Sequence, residues 1–183
     1  AGWLYGNAYA TSKDGIHWDR PMLDITGDSN RILLEIRPDS GTVIIDEDCE
    51  DESQRYKMLI RNPDGGGDSG YVLVSSDEIH WSGPVKTSGM GDRSTFFYNP
   101  FTKKYVFSVR SASFPPPDQK FYRTRKYREC SDFLTGATWN NSSEKEGRGD
   151  KGTMQVSDTD AIKELVFWQR TDGKDTPRFD GFQ

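Results

Sequence analysis

Three aspartates stand at matching places in a segment that the chain repeats. Asp39, Asp92 and Asp150 each begin the pattern Asp-x-x-Thr, and three mostly apolar residues and a small polar residue follow the threonine. Two carboxyl groups that face one glycosidic bond, one protonated and one ionised, can hydrolyse it. The same pattern is also typical of a structural turn, in which the aspartate oxygen accepts hydrogen bonds from nearby backbone N–H groups. On the residues alone, both interpretations stay open.

A second motif repeats in step with these aspartates. Residues 12–18 read Ser-Lys-Asp-Gly-Ile-His-Trp and residues 75–81 read Ser-Ser-Asp-Glu-Ile-His-Trp, while a looser third copy extends from Ser131 to Trp139. The three tryptophans are 63 and then 58 residues apart. A repeat of this period in a chain rich in short strands predicts a radial or stacked all-β array.

Each repeat also contains a predicted strand that ends in arginine. These strands cover residues 55–61, 104–110 and 164–170, so they end at Arg61, Arg110 and Arg170. Four antiparallel strands in roughly 60 residues correspond to one blade of a β-propeller. We therefore predict a single all-β domain over residues 1–183, with about three blades of a five-bladed propeller represented. Further residues or another copy of the chain would complete the ring.

Composition argues against several classes of partner. The net charge of −5 does not favour nucleic acid, because phosphate binding needs clustered Lys and Arg. The one basic segment, residues 120–128, is predicted to be a strand with a solvated face. No apolar run approaches the roughly 20 residues of a membrane span. Cys49 and Cys130 are predicted to be free thiols, and the compartment stays open, with a secreted or periplasmic location slightly favoured.

Cofactor chemistry finds little support in the motifs. The chain has no P-loop, no Gly-x-Ser-x-Gly, no His-Glu-x-x-His and no dinucleotide-binding fingerprint. Its two histidines, His17 and His80, occupy matching turns, which argues against a histidine triad or a zinc site. We expect no cofactor and no catalytic metal; a structural calcium ion is compatible with the sequence.

Several segments resemble a known family. Residues 8–21 resemble the A-Y-S-x-D-G-I-H-W-x-x-P segment of five-bladed propeller glycoside hydrolases, particularly an uncharacterised bacterial branch similar to families 32 and 43. Residues 54–58 resemble its E-R-Y-K-M strand. Residues 96–110 resemble its F-x-D-x-x-x-x-K-Y-V-x-x-x-R segment, with Asn99 in place of the usual aspartate. Residues 128–139 resemble its R-x-x-S-x-D-F-x-x-W segment, with a longer gap before Trp139. The likeness covers nearly the whole chain and is strongest in motifs that specify the fold.

The resemblance implies hydrolysis of furanosides, such as β-fructosides or α-arabinofuranosides, by three acids around a central funnel. It implies that Asp39 would be the base or nucleophile, Asp92 the stabiliser of the transition state and Asp150 the proton donor. The family's donor is usually Glu, and Asp158 and Asp160 are alternatives to Asp150 for this role.

The remaining site residues would bind the sugar. Arg61, Arg110 and Arg170 would hold sugar hydroxyls or a carboxylate, or else pair with the aspartate of a neighbouring blade. Trp168 would stack on a sugar face. The predicted partner is an oligosaccharide or glycoside, with neither nucleic acid nor membrane, and an oligomer is compatible. A carbohydrate-binding propeller without catalysis is the alternative function, and a pure interaction scaffold is a third.

The serine, aspartate and histidine of the tryptophan motif resemble the Asp-box hairpins of sialidases. We predict that these residues stabilise turns, and that the three motif tryptophans pack between strands. The residues concerned are Ser12, Asp14, His17, Ser75, Asp77, His80, Trp18, Trp81 and Trp139.

Overall fold

The computed structural model describes residues 6–33, 36–62, 69–113, 122–139 and 165–169. Over these ranges the protein is all-β, with two four-stranded antiparallel sheets and one single-turn α-helix. The all-β prediction is therefore confirmed, whereas a closed five-bladed ring stays a prediction. No helix in these ranges is long and apolar enough to cross a membrane.

The first sheet is an up-and-down meander. Each strand pairs antiparallel with the next in the chain, and the order across the sheet is the sequence order. Runs of β-branched and aromatic residues favour these strands, because such side chains pack well on a pleated surface. The strands are β1 (Ser40–Ile45), β2 (Tyr56–Arg61), β3 (Gly70–Ser75) and β4 (Ser82–Lys86).

The second sheet has the same order but draws its last strand from further along the chain. Its strands are β5 (Thr95–Asn99), β6 (Lys104–Ser113), β7 (Tyr122–Cys130) and β8 (Val166–Gln169). Within the predicted strand at 164–170, Val166–Gln169 form β8, but the assignment of this strand to a third unit is wrong. It pairs antiparallel with β7 and completes the second sheet. The repeat pattern identified the strand, whereas its partner depends on long-range pairing that the pattern does not encode.

Strand β7 also differs from its prediction. The basic segment is a strand as expected, but Lys126 and Arg128 are each only 1% exposed rather than solvated. They are buried because β7 lies between β6 and β8 and carries the single-turn helix α1 (Phe133–Gly136) on one side. Arg128 Nε donates to the carbonyl oxygen of Gly136 at 2.9 Å. Neither Cys49 nor Cys130 forms a disulfide bond, as predicted.

The main hydrophobic core lies between the two sheets. Its centre is Phe133 of α1, whose ring lies 4.9 Å from Phe96 and 5.9 Å from Phe107, measured between centroids. Successive side chains of a strand point to opposite faces. Leu59 therefore faces this core, while its neighbours on β2 face a second cluster on the other side of the first sheet. That second cluster contains Leu33, Met58, Ile60 and Leu73.

A buried polar network around Asp46, which directly follows β1, links the two sheets through Tyr105 of β6. Lys57 Nζ lies 2.9 Å from Asp46 Oδ2, and both side chains are almost completely buried. Lys57 also donates to the Gln54 carbonyl oxygen at 2.7 Å, and the Tyr105 hydroxyl donates to Asp46. Burial, followed by the bond to Asp46, raises the pKa of Tyr105 well above its usual range. The charges balance within the core, as buried ionised groups must.

The two close copies of the tryptophan motif form the same turn. In each, the aspartate accepts hydrogen bonds from the backbone N–H groups two and three residues later, at 2.8 and 2.8 Å for Asp14 and 2.9 and 2.8 Å for Asp77. The other carboxylate oxygen lies 2.7 Å from the Nδ1 of His17 or His80. The predicted structural role of these residues is confirmed.

The third copy departs from this turn. Ser131 and Trp139 are eight residues apart, against six in the other copies, and the extra length forms α1. Asp132 caps that helix by accepting the Thr135 N–H at 2.7 Å. The packing predicted for the tryptophans holds for Trp139, which is buried in the main core, and for Trp81, which packs against the second cluster. It is wrong for Trp18, whose surface is 57% exposed.

A difference between the two close turns predicts a stability change. Glu78 adopts φ 68°, where the first copy has Gly15 at φ 73°. We expect Glu78→Gly to be more stable than Glu78→Ala by about 1 kcal/mol, because only glycine adopts this conformation without strain. Both variants remove the Glu78 carboxylate, so urea unfolding of the two isolates the backbone effect. Equal stability would contradict this explanation.

The His80 contacts predict a dependence on pH. His80 Nε2 lies 3.0 Å from Asp24, and the bonds to Asp77 and then to Asp24 raise the pKa of His80 above 6.5. A raised pKa in the folded state gives stability that is complete below the unfolded pKa and is lost as the pH rises through the folded value. Stability should therefore fall as the pH increases from about 6.5.

Unfolding at a series of pH values should show this decrease in stability in the parent protein. The decrease should be absent in His80→Gln. An NMR titration should also show a lower His80 pKa in Asp24→Asn. If the His80 pKa is unchanged in Asp24→Asn, the contact with Asp24 does not contribute.

Candidate functional site

Asp39 and Asp92 form equivalent ion pairs in the two sheets. Asp39 Oδ2 lies 2.5 Å from Arg61 Nη1, and Asp92 Oδ1 contacts Arg110 Nη1. Each aspartate precedes the first strand of its sheet, and each arginine is carried by the second strand. The antiparallel register brings the start of one strand opposite the end of the next. Arg61 and Arg110 therefore each pair with the aspartate of their own sheet.

The two ion pairs adjoin each other. The backbone N–H of Arg93 donates to Ser40 Oγ at 2.9 Å, and these residues directly follow Asp92 and Asp39. Strands β1 and β5 lie side by side there. The aspartate side chains are 43% and 30% exposed, whereas those of Arg61 and Arg110 are 16% and 21% exposed. Each carboxylate is therefore paired with a less exposed guanidinium group and remains accessible.

The loop that carries Asp92 is held tightly against β6. Ser94 Oγ donates to the Gly91 carbonyl oxygen at 2.8 Å and accepts the Arg110 N–H at 2.9 Å. Gly91 N–H donates to the Arg110 carbonyl oxygen at 3.0 Å. A Cβ on Gly91 would lie 2.8 Å from Arg110 Cδ, so a larger residue would displace the arginine. This loop therefore positions both members of the second ion pair.

Arg125 is a member of this site that the sequence analysis missed. It lies directly opposite Arg110 in the pairing of β6 and β7. Its Nη1 donates to the carbonyl oxygens of Arg93 at 2.8 Å and Ser108 at 3.1 Å. Burial, and then the charge of Arg110, lower the pKa of Arg125, whereas Asp92 opposes this. The basic segment 120–128 was the available signal, but the sequence does not show which of its residues reaches the site.

Other predicted site residues lie outside the described ranges. These are Asp150, its alternatives Asp158 and Asp160, and Arg170, and their roles stay predictions. Trp168 belongs to β8 by its backbone. Over the ranges that the structure covers, no group of three or more His, Cys, Asp or Glu side chains could hold a metal ion. The structural calcium ion also stays a prediction.

An apolar concavity lies at the opposite ends of β1 and β5. Its volume is about 420 Å³, and neither Asp39 nor Asp92 lines it. It combines exposed apolar side chains with two acidic residues, without a positioned pair of charges. We therefore place the candidate site at the ion pairs. The concavity is lined by Ile44, Ile45, Glu47, Asp48, Phe97, Tyr98 and Pro100.

The arrangement of the two ion pairs limits the chemistry that it can perform. A carboxylate paired with a guanidinium is an ionised group, suited to act as a nucleophile, a base or a stabiliser of positive charge. A general acid must instead carry a proton. Asp39 and Asp92 can therefore supply the ionised roles in glycoside hydrolysis, and the proton donor has to be a third carboxyl group.

Comparison with protein-family models, with curated proteins and with solved structures gives no match to this chain. The architecture and the two ion pairs are therefore the basis for assigning a function. An aspartate before a strand and an arginine on the next strand recur in both sheets with the same pairing. This recurrence is the feature that a functional proposal has to explain.

The second ion pair should contribute more to stability than the first. We expect a double-mutant cycle with Asp92→Asn and Arg110→Gln to give a coupling of about 1–2 kcal/mol, because Asp92 is the less exposed of the two aspartates. The matched cycle with Asp39→Asn and Arg61→Gln should give less than about 1 kcal/mol, since Asp39 is more exposed. Urea unfolding of the parent, the four single variants and the two double variants measures both couplings. A larger coupling in the first cycle would contradict this order.

Proposed function

We propose that this chain is part of a five-bladed β-propeller that hydrolyses furanosides, such as β-fructosides or α-arabinofuranosides. The observation that carries the proposal is the pair of adjoining aspartate–arginine contacts at equivalent places in two neighbouring sheets. The two four-stranded meanders support the assignment of each sheet as one blade. The choice of furanosides rests on the resemblance of the sequence motifs alone.

In the proposed mechanism the two described carboxylates act in their ionised form. Asp39 is the base or nucleophile, and Asp92 stabilises the positive charge that develops on the sugar in the transition state. Arg61 and Arg110 orient these carboxylates. Asp150 donates the proton to the leaving oxygen, with Asp158 and Asp160 as the alternatives for that role. Arg170 and Trp168 would contribute to sugar binding.

A non-catalytic carbohydrate-binding propeller is the second candidate. It is favoured by the fact that Asp39 and Asp92 are both engaged by arginine. It is also favoured by the aspartate at position 150, where the resembling family usually has glutamate. In this case the aspartates would hold the loops in place, and their oxygens would accept hydrogen bonds from sugar hydroxyls.

The two candidates differ in the products that they form. We expect the protein to release sugar from at least one member of a panel of fructosides, arabinofuranosides and xylosides. Asp92→Asn and Asp39→Asn should each lower that rate by at least about 100-fold, because each removes an ionised group of the reaction. Asp77→Asn is the matched control: it alters a partly exposed aspartate in the turn after β3, and its rate should stay within about threefold of the parent.

Three results decide between the proposals. Loss of release in the site variants and not in Asp77→Asn would support hydrolysis at this site. Sugar binding by calorimetry without any release would favour the carbohydrate-binding alternative. An unchanged rate of sugar release in Asp92→Asn would show that Asp92 takes no part in the reaction.

A further inference from the structure

A third charged residue, Arg125, lies beside the second ion pair and has no counterpart beside the first. Arg110 and Arg125 lie directly opposite each other on β6 and β7. Like charges at directly opposed positions destabilise a sheet. In the first sheet the residue opposite Arg61 is Gly70, so this arginine pair is not part of the repeated framework. A feature that costs stability and is absent from the matching sheet requires another explanation.

Over the described residues, Asp92 is the one carboxylate that balances the two arginines. It contacts Arg110 directly and acts on Arg125 through its charge. Arg125 itself pairs with no carboxylate there and bonds only to backbone carbonyl oxygens. Two guanidinium groups and one carboxylate leave a net charge of one positive unit at the site. This excess matches a single negative charge on a ligand.

The hydrogen-bonding capacity of the two arginines is also incompletely used. Arg110 Nε is buried and has no hydrogen-bond partner among the described residues. Both of these hydrogen bonds of Arg125 start from Nη1, whereas its guanidinium carries five N–H donors in a planar fork. A planar fork of donors suits the two oxygens of a carboxylate. Both side chains are partly exposed, so a ligand can approach them, although not at the buried Nε of Arg110.

We propose that Arg110 and Arg125 bind a carboxylate group of the substrate, so that the protein acts on furanosides attached to an acidic sugar such as a uronic acid. This inference rests on the proposed function for the reaction, and adds the class of sugar next to the cleaved bond. Asp92 lies beside both arginines. The bound carboxylate would therefore place the neighbouring furanoside at the catalytic carboxylates.

Calorimetry with D-glucuronate and D-glucose tests the site without requiring catalysis. D-glucuronate should bind the whole chain at least about tenfold more tightly than D-glucose, because only the former carries the carboxylate. Arg125→Gln should bind D-glucuronate at least about tenfold more weakly than the parent. The affinity of Arg125→Lys should lie between those of the parent and Arg125→Gln, since lysine keeps the charge without the planar fork of donors. Arg20→Gln, at an exposed position away from this site, makes the same change in net charge and should leave the affinity unchanged.

Unfolding curves of each variant show whether it is folded before its affinity is compared. The proposal is overturned if D-glucuronate and D-glucose bind equally, if neither binds, or if Arg125→Gln behaves like Arg20→Gln. Release from neutral furanosides without D-glucuronate binding would overturn this inference and leave the hydrolase proposal standing. Binding of D-glucuronate that depends on Arg125, without release from any glycoside, would support the carboxylate site and count against hydrolysis.

Discussion

The packing of the two sheets against each other through buried aromatic rings is the constraint on which the site depends. Phe96, Phe107 and Phe133 lie in contact between the sheets, and Leu59 packs against them from the first sheet. A slip of one residue in any of these strands would turn its apolar side chains away from the core. This packing sets β1 beside β5, and it is the reason that Asp39 and Asp92 adjoin.

The buried polar network acts on the same strands. Lys57 and Arg61 belong to β2, and Tyr105 and Arg110 belong to β6. The contacts of Lys57 and Tyr105 with Asp46 align these two strands. Arg61 and Arg110, four and five residues further along these strands, are therefore placed by contacts near the strand beginnings. A buried charge pair contributes little net stability after desolvation, but here it specifies which residues can face each other.

A comparison of the two sheets distinguishes residues that belong to the repeated structure from residues that occur in one sheet alone. An aspartate that accepts a guanidinium at the start of the first strand occurs in both sheets, so it has a structural role in either case. Arg125 occurs only in the second sheet, and Gly70 occupies the equivalent position in the first. Gly70 has no room for a side chain, because a Cβ there would lie 2.1 Å from the Ile60 carbonyl oxygen. The asymmetry between the sheets is therefore the more specific indication of a ligand.

Local patterns in the sequence were enough for the features that depend on near neighbours. The Asp-box turns around Asp14 and Asp77, the all-β class and the recurrence of aspartate and arginine follow from residues a few positions apart or from a period of about 60 residues. Tertiary structure alone decided that β8 joins the second sheet, that Lys126 is buried and that Arg125 faces Arg110. These features depend on the pairing of strands separated by long connections. Since local spacing does not set the partner or register of such strands, their side chains could be placed only once the sheets were formed.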